Sequence, residues 1–383
     1  MMRLVLGFCL ALLVACSGGP SLPPAGREPL PPSAETWPEP VGAVTLQRAL
    51  AADPEQVLDV SITVFDPGLP EDVTTHGTRG IFPDIRRAEV RYLPVLLRQS
   101  LVASGAWGAV RVLPEADPTA QLQIDATILH SDGQRLALRV SARDATGRTW
   151  IDRAYTDLAG SADYPVAAED DPFADLYRQL ANDLLAARSQ QGAGAAREIR
   201  RVSELRYAAS LAPEVFADYL GSDDSGRYRV LRLPAQGDPM LARVERIREQ
   251  EYRFIDTVDE QFVDLVEALR PTYNLWRQYG REQAHYISDY YRRLQDRDSA
   301  GRRGSYAALE QNYNTFRWSK IQQQDLQELA QGFDNEVTPT VMDVSGRVFR
   351  LSGSLQSQYQ EWRDILRQIF ALESGLPVGE SGG

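Results

Sequence analysis

Cysteine is nearly absent from this chain, and lysine is rarer still. The two cysteines, Cys9 and Cys16, both lie within the first sixteen of 383 residues. The remaining residues therefore offer no disulfide, no thiolate metal ligand and no cysteine nucleophile. Lys320 is the single lysine among 41 basic residues, and 53 acidic residues give a net charge of −12. A charge of this sign excludes nucleic-acid binding through a general electrostatic footprint.

Motifs for catalysis are scarce as well. His76, His130 and His285 lie far apart in the sequence and form neither an HExxH motif nor a close pair for a metal. No pair of carboxylates stands out from the generally acidic composition. We therefore expect a protein that is not an enzyme and that binds neither a metal nor another cofactor.

The first sixteen residues are predicted to be a targeting sequence. Arg3 precedes an apolar run, residues 4–15, that is too short to span a bilayer as a mature helix, so residues 1–15 are predicted to be a secretory signal peptide. The sequence Leu13-Val14-Ala15-Cys16 resembles the lipobox of bacterial lipoproteins. That resemblance implies a mature chain that begins at Cys16 and is anchored by acyl chains such as palmitate. The residue that follows the lipidated cysteine governs the sorting of such lipoproteins, and here it is Ser17 and not Asp. By this resemblance, Ser17 implies sorting to the outer membrane, with the protein facing the periplasm.

Residues 16–44 are predicted to be a lipidated, proline-rich tether. Eight prolines between positions 17 and 40 exclude a regular helix or a central strand: Pro20, Pro23, Pro24, Pro29, Pro31, Pro32, Pro38 and Pro40. Such a segment favours polyproline II, which rises roughly 3.1 Å per residue, so the tether reaches on the order of 70 Å. The folded part is thus expected to work away from the membrane surface.

Residues 45–190 predict a small two-layer α+β domain with the order β-α-β-β-β. Apolar residues alternate over 58–65, and the spacing then changes to three and four from Asp84 to Gly105, as in a helix. Pro94 predicts a kink or a break in that helix. Further strands are predicted at 109–113, 122–129, 135–142 and 149–155, which together form an antiparallel meander, followed by a helix at 172–189.

This domain resembles the auxiliary lipoproteins of ABC-type envelope transport systems. The resemblance is carried by the sequence GAWGAVRV at 105–112 and by the hairpin sequences LQIDATIL and LALRVSARD. It is similar, less closely, to the periplasmic domains of curli-secretion and penicillin-binding-protein-activator lipoproteins. The resemblance implies a non-enzymatic accessory role in moving or assembling envelope components.

A joining region follows at residues 191–238. It contains a glycine-rich hinge, helices predicted at 198–211 and from Pro213 to Gly221, and a strand at 228–233. A lone strand must pair either with the sheet of the first domain or with the edge of a partner's sheet.

Residues 239–373 predict an all-α C-terminal domain of long antiparallel helices, followed by a disordered tail at 374–383. Apolar residues recur at spacings of three and four from Leu241 to Tyr290, as in a coiled coil. Pro271 predicts a kink within this helix, and further helices are expected at 305–334 and from Thr338 to Leu372. Two architectures remain open, a full-length helical hairpin on the order of 90 Å long and a compact bundle of three or four helices.

The aromatic residues of this half are interleaved with arginines. Candidate partner-binding residues are Trp276, Tyr279, Tyr286, Tyr290, Arg292 and Arg293. Aromatic side chains at helical spacing also form helix cores, so both a core and a recognition surface are consistent with the pattern.

Three functions are consistent with the sequence. The first is a lipid-anchored periplasmic scaffold that assists a transport, secretion or assembly machine through contacts with envelope proteins. The second is a module that binds peptidoglycan or another polysaccharide through the aromatic and arginine side chains. The third is an envelope hydrolase.

Overall fold

The computed structural model describes residues 37–49, 56–73, 76, 81–167, 170–192, 194–298, 339–344 and 347–376, with only the backbone for 84, 265, 283 and 286–298. The described part is a mixed α/β fold built around one five-stranded sheet. Cys16, the signal peptide, most of the tether and the helix expected at 305–334 lie outside the described residues.

The five-stranded sheet is mixed rather than a simple meander. Its strands are β1 (Val60–Thr63), β2 (Val110–Leu113), β3 (Leu122–Ser131), β4 (Arg135–Asp144) and β5 (Thr149–Leu158), in the spatial order β2-β1-β3-β4-β5. The expected meander is confirmed for β3, β4 and β5, which are antiparallel. It is wrong for β2, which pairs in parallel with the far side of β1. The connection from β2 to β3 therefore passes β1 instead of forming a hairpin.

Two helices cover the apolar face of this sheet. Helix α1 (Pro83–Ser104) begins with Pro83 in its first turn and ends at Gly105, whose φ of 62° is left-handed. Pro94 lies inside α1, yet the helix is not broken. Helix α2 (Ala174–Ser189) follows β5. Alternate residues of β4, among them Leu136, Leu138 and Val140, are fully buried, and the residues between them are mostly polar.

The joining region forms two helices and a small hairpin. These are α3 (Ala195–Leu211), α4 (Pro213–Phe216), β6 (Leu220–Ser222) and β7 (Tyr228–Val230). The strand that the sequence left without a partner pairs with β6, with Leu220 opposite Val230, so neither the main sheet nor a partner's edge is required. The Tyr228 amide also donates to the Thr146 carbonyl in the β4–β5 turn, 2.8 Å away.

The C-terminal half is not all-α within the described residues. Helix α5 (Pro239–Asp298) has 60 residues and continues through Pro271, a length of about 90 Å. Strands β8 (Thr340–Val344) and β9 (Arg347–Leu351) then form an antiparallel hairpin where the sequence predicted a continuous helix. Helix α6 (Leu355–Ser374) follows.

Helices α5 and α6 pack antiparallel, as two contacts demonstrate. Arg246 near the start of α5 lies 3.2 Å from Glu373 near the end of α6, whereas the Tyr359 hydroxyl donates to Glu251, 2.8 Å away. The hairpin alternative and the bundle alternative differ in residues 299–338, which lie outside the described residues.

One hydrophobic core extends from β1 to α6. It includes Ile62 and Leu97 of the first predicted domain together with Phe254, Trp362 and Phe370 of the second, each fully buried. None of the helices in the described part is both long enough and apolar enough to cross a membrane.

An extended segment, residues 37–49, lies across the outside of the α+β part, and we call it the strap. The Val41 amide donates to the Thr156 carbonyl on β5, at 2.9 Å. On α2, the Asn182 amide group accepts from the Gln47 amide (2.7 Å) and donates to the Thr45 carbonyl (2.9 Å). The strap thus continues the chain from the predicted tether onto the folded body.

Candidate functional site

The candidate partner-binding residues do not form one surface in the described part of the molecule. Trp276 is 5% exposed, and its ring packs edge-on against Phe82, with centroids 6.4 Å apart. Tyr279 is half-buried. The backbone of α5 carries Tyr286, Tyr290, Arg292 and Arg293, and their side chains lie outside the described residues. Trp276 therefore belongs to the core.

In addition to its polar contacts with α6, helix α5 brings polar side chains to three contacts with the rest of the protein. We call them the Arg248 contact, the β2-edge contact and the α5 junction. They are spread along α5 from Arg248 to Arg281, so most of the first two-thirds of the helix is fixed to the body.

The Arg248 contact joins α5 to α3 and to the loop after β2. The guanidinium donates to the carbonyls of Ser203 and Thr119, each 3.2 Å away, and to the Tyr252 hydroxyl at 2.7 Å. It also lies over the Tyr207 ring, 4.6 Å from the centroid. A planar group with five donors can satisfy several carbonyls at once, which explains why arginine occupies this position.

The β2-edge contact covers the open edge of the sheet. Asp259 of α5 accepts from the Val112 amide of β2, 3.3 Å away, and its other oxygen lies 2.7 Å from Nε of Arg98 on α1. Burial raises the pKa of Asp259 to about 6, although the Arg98 charge and the Val112 amide oppose this effect. Because unpaired edge strands invite association, this cover explains how β2 is protected.

The α5 junction is the most deeply buried contact. Glu89 of α1 is fully buried, and its Oε1 accepts from the Ser131 hydroxyl (2.5 Å) and the Tyr273 hydroxyl (2.7 Å). Nε of Arg86 lies 3.5 Å from Oε2 of Glu89. Burial raises the pKa of Glu89, opposed by Arg86 and by the two hydroxyl donors. The junction thus ties α1, the end of β3 and α5 together.

Arg277 of α5 is the second buried charge of the junction. It is fully buried, and its Nη1 donates to Asp171, in the loop before α2. Its guanidinium lies over the rings of Tyr273 and Phe173, 4.4 and 5.0 Å from their centroids. Burial alone would lower the pKa of Arg277, but the negative charge of Asp171 and the surrounding tyrosines have the larger effect. The pKa of Arg277 is therefore raised above its usual value. Arg277 therefore stays protonated inside the protein.

Two glycines allow α5 to approach the β3–β4 turn. Gly133 has a φ of +78°, and a Cβ there would overlap the carbonyl of Arg277. A Cβ on Gly280 would lie 2.8 Å from the carbonyl oxygen of Asp132. Backbone therefore meets backbone at this crossing, and no larger residue fits without displacement of the helix.

Only a weak signal in the sequence indicates the junction. Glu89 falls on the same helical face as Ile85 and Tyr92, so a carboxylate stands on the apolar side of α1. Its partners, Ser131 and Tyr273, are 42 and 184 residues away in the chain. No local pattern links residues at such separations, so the junction required the three-dimensional structure.

The histidines do not assemble a metal site in the described part. His130 pairs with Asp132 at 2.9 Å, His76 contacts the Pro70 carbonyl, and His285 contacts Gln134. Among the residues that the structure describes, no group of three or more His, Cys, Asp or Glu side chains could hold a metal ion.

The chain matches no protein-family model, no curated protein and no solved structure. The three contacts position a long helix rigidly against an α+β body, and such an arrangement can present a helical surface at a fixed angle.

Proposed function

We propose that this protein is a lipid-anchored accessory protein of the bacterial envelope, non-enzymatic, attached to the outer membrane and facing the periplasm. It assists a transport, secretion or assembly machine through protein–protein contacts. The lipobox at residues 13–16 and the proline-rich tether support the anchor, and the resemblance of the α+β part to transport auxiliary lipoproteins supports the role.

The observation that carries the scaffold role is the fixed position of α5. Three polar contacts and a shared core hold this 60-residue helix to the body. A helix held at many points loses little further entropy when a partner binds it, which favours its use as a docking surface.

Site-specific crosslinking tests the scaffold role. A photo-reactive residue is placed at Leu275, which is 49% exposed on α5, and at Arg139, which is 56% exposed on the polar face of the sheet. We expect position 275 to crosslink one envelope transport, secretion or assembly protein in intact cells, and the matched position 139 to crosslink it much less. Equal labelling at both positions, or none, would contradict the proposal.

Membrane fractionation tests the anchor separately. Cys16→Ser removes the only thiol that lipidation could use in the mature chain. We expect the native chain in the outer-membrane fraction and the variant in the soluble periplasm. A variant that remains in the membrane would refute the lipid anchor without bearing on α5.

Polysaccharide binding is the second candidate. It is favoured by the clustering of tyrosine and arginine along α5, where Tyr286, Tyr290, Arg292 and Arg293 lie within eight residues. Aromatic rings and guanidinium groups both contact sugars well. Cosedimentation with purified sacculi that Tyr290→Ala and Arg293→Ala abolish would support this function over the scaffold.

A further inference from the structure

The strap is held on the body largely through its own backbone. At one end, the Val41 amide donates to the Thr156 carbonyl on β5, 2.9 Å away. At the other end, the Ala49 amide donates to the Ser104 carbonyl of α1, also at 2.9 Å. Side chains of α2 hold the strap between these two points. We call the residues of the body that bind it the strap site: Ser104, Thr156, Asp175 and Asn182.

The two α2 side chains of the strap site are spaced to match an extended chain. The Asp175 carboxylate accepts from the Val44 amide, 3.2 Å away. The Asn182 side chain accepts from the Gln47 amide at 2.7 Å and donates to the Thr45 carbonyl at 2.9 Å. Asp175 and Asn182 lie two turns apart, about 10.5 Å along the helix, and the three residues from 44 to 47 span about 10 Å when extended. The strap therefore runs in step with the face of α2.

Asn182 binds main-chain groups of the strap and not its side chains. A side-chain amide carries the same donor and acceptor as a peptide group, so it can pair with an extended backbone of any sequence. Asn182 is only 8% exposed, and the strap engages both its oxygen and its nitrogen. Departure of the strap without a replacement would leave this buried amide unpaired, which costs free energy. The strap site therefore favours an occupied state without requiring one particular sequence.

The strap itself has few deeply buried contacts. None of residues 37–49 is fully buried, and more than half of them are exposed. Val41, Leu46 and Ala49 are partly buried and pack against the core. Segments with so little buried surface open locally at a low cost in free energy. Another extended segment with aliphatic residues at the same spacing can thus compete with the strap.

We propose that the strap site binds an extended segment of a partner protein, which displaces the strap and takes its place along α2 and β5. Hydrogen bonds to the backbone of that segment provide affinity, and aliphatic residues at the positions of Val41, Leu46 and Ala49 provide selectivity. The strap is the resident competitor, so binding of the partner releases it. The proposal depends neither on the lipid anchor nor on docking at α5.

Fluorescence anisotropy with the full chain in detergent tests the proposal. The probe is a labelled synthetic peptide with the sequence of residues 37–49. Gln47→Pro removes the amide that donates to Asn182 and so weakens the chain's own strap, whereas Gln47→Ala keeps this amide and is the matched control. We expect Gln47→Pro to bind the probe about tenfold more tightly than the native chain or the control, because the linked strap competes less. Absence of saturable binding to Gln47→Pro would overturn the proposal.

A second substitution locates the bound peptide. When Asn182→Ala is combined with Gln47→Pro, the probe loses two hydrogen bonds, whereas the altered strap loses only the one from Thr45. We expect the affinity for the probe to fall several-fold relative to Gln47→Pro alone. An unchanged affinity would place the peptide outside the strap site and refute the assignment.

Two altered peptides distinguish a partner segment from the strap itself. The first has serine at every exposed position of the strap, and the second has serine in place of Val41, Leu46 and Ala49. We expect the first to bind nearly as tightly as the probe and the second not to bind. Binding of the unaltered strap sequence alone would restrict the site to the strap and overturn the proposal. A dimer of the native chain in sedimentation velocity that Gln47→Pro dissociates would assign the site to the strap of a second copy, which also overturns it.

Discussion

At the scale of single residues, the buried charges of this protein set the position of α5 on the body more than they stabilise the fold. Glu89 and Arg277 are fully buried, and each is held by groups from other elements. The cost of desolvating two charges offsets much of the attraction between them in a buried ion pair. Removal of one partner, however, leaves the other as an unpaired buried charge. Such pairs therefore select one register of α5 on the body more strongly than they increase the free energy of unfolding.

The Asp259 carboxyl makes stability depend on pH. Its pKa is raised to about 6 by burial, against 3.8 in an unfolded chain, so the folded state binds the proton more tightly. The stabilisation is complete below about pH 4 and is lost as the pH rises through about 6. As the pH rises from 5 to 7.5, the free energy of unfolding should fall in both proteins. We expect this fall to be about 1 kcal/mol smaller in Asp259→Asn than in the native chain.

Urea unfolding at several pH values measures this difference. Asparagine keeps an acceptor for the Val112 amide, so the variant preserves the β2-edge contact while it removes the titration. Parallel pH profiles for the two proteins would show that Asp259 titrates in the folded state as it does in the unfolded chain.

At the scale of elements, the crossing of α5 over the β3–β4 turn depends on close backbone approach. Gly133 and Gly280 allow this approach, and Tyr164 adds a hydrogen bond from its hydroxyl to the Gly133 carbonyl. The neighbouring side chains, Trp276 and Tyr273, then stack with ring centroids 5.6 Å apart. Helix and turn consequently fix each other.

Replacement of Gly133 tests the crossing. Gly133→Ala adds a Cβ at a left-handed φ and against the Arg277 carbonyl. Gly237→Ala is the matched control, because its φ is +73° and nothing lies within 4 Å of the added Cβ. The control isolates the left-handed backbone cost of about 1 kcal/mol, and we expect Gly133→Ala to lose at least ~2 kcal/mol more by chemical denaturation. Equal losses would mean that the approach is not tight.

The strap provides a second test at this scale. Asn182→Ala removes the two hydrogen bonds that the Asn182 side chain makes to the strap. We expect trypsin to cleave after Arg48 several-fold faster in this variant, because cleavage requires local release of the backbone. Gln179→Ala, on the same helix but bonded to Asp183, serves as the control. Unchanged cleavage of the Asn182 variant would show that other contacts hold the strap.

Elements with local signals could be predicted from the sequence, and those set by distant contacts could not. Gly105 marked the end of α1, and Asp132-Gly133 marked the β3–β4 turn, because each acts through its own backbone. The β8–β9 hairpin was missed because Val341, Val344, Val348 and Leu351 satisfy helical spacing, whereas Thr340, Met342 and Val344 also alternate. Packing against α5 and α6 decides between the two periods. The parallel position of β2 and the α5 junction likewise depend on residues far apart in the chain.

At the scale of the whole molecule, one core joins segments that the sequence assigned to two domains. Among the described residues, one cluster of buried side chains includes both Leu58 and Phe370, and the ring centroids of Trp362 in α6 and Phe254 in α5 lie 6.2 Å apart. A shared core couples the folding of the parts that contribute to it.

We therefore expect the described core to unfold in a single cooperative transition. In differential scanning calorimetry, the van 't Hoff enthalpy should equal the calorimetric enthalpy within error. Near-ultraviolet circular dichroism, which reports the packing of aromatic side chains throughout the core, should follow the same curve as the far-ultraviolet signal. Two separated transitions would indicate that α5 and α6 unfold independently of the sheet.

The strap also determines the end of the molecule at which the chain before residue 37 leaves the body, and therefore which end would face the proposed anchor. Trp37 lies beside His130, 5.3 Å between ring centroids, next to the turn that α5 crosses, whereas Ala49 donates to Ser104 at the far end of α1. With Cys16 in a bilayer, tension reaches the body at the turn while the strap is bound, and at the opposite end once it is released. If the proposed anchor holds, detachment of these thirteen residues would rotate the body relative to the membrane, so the strap would set the orientation of the protein.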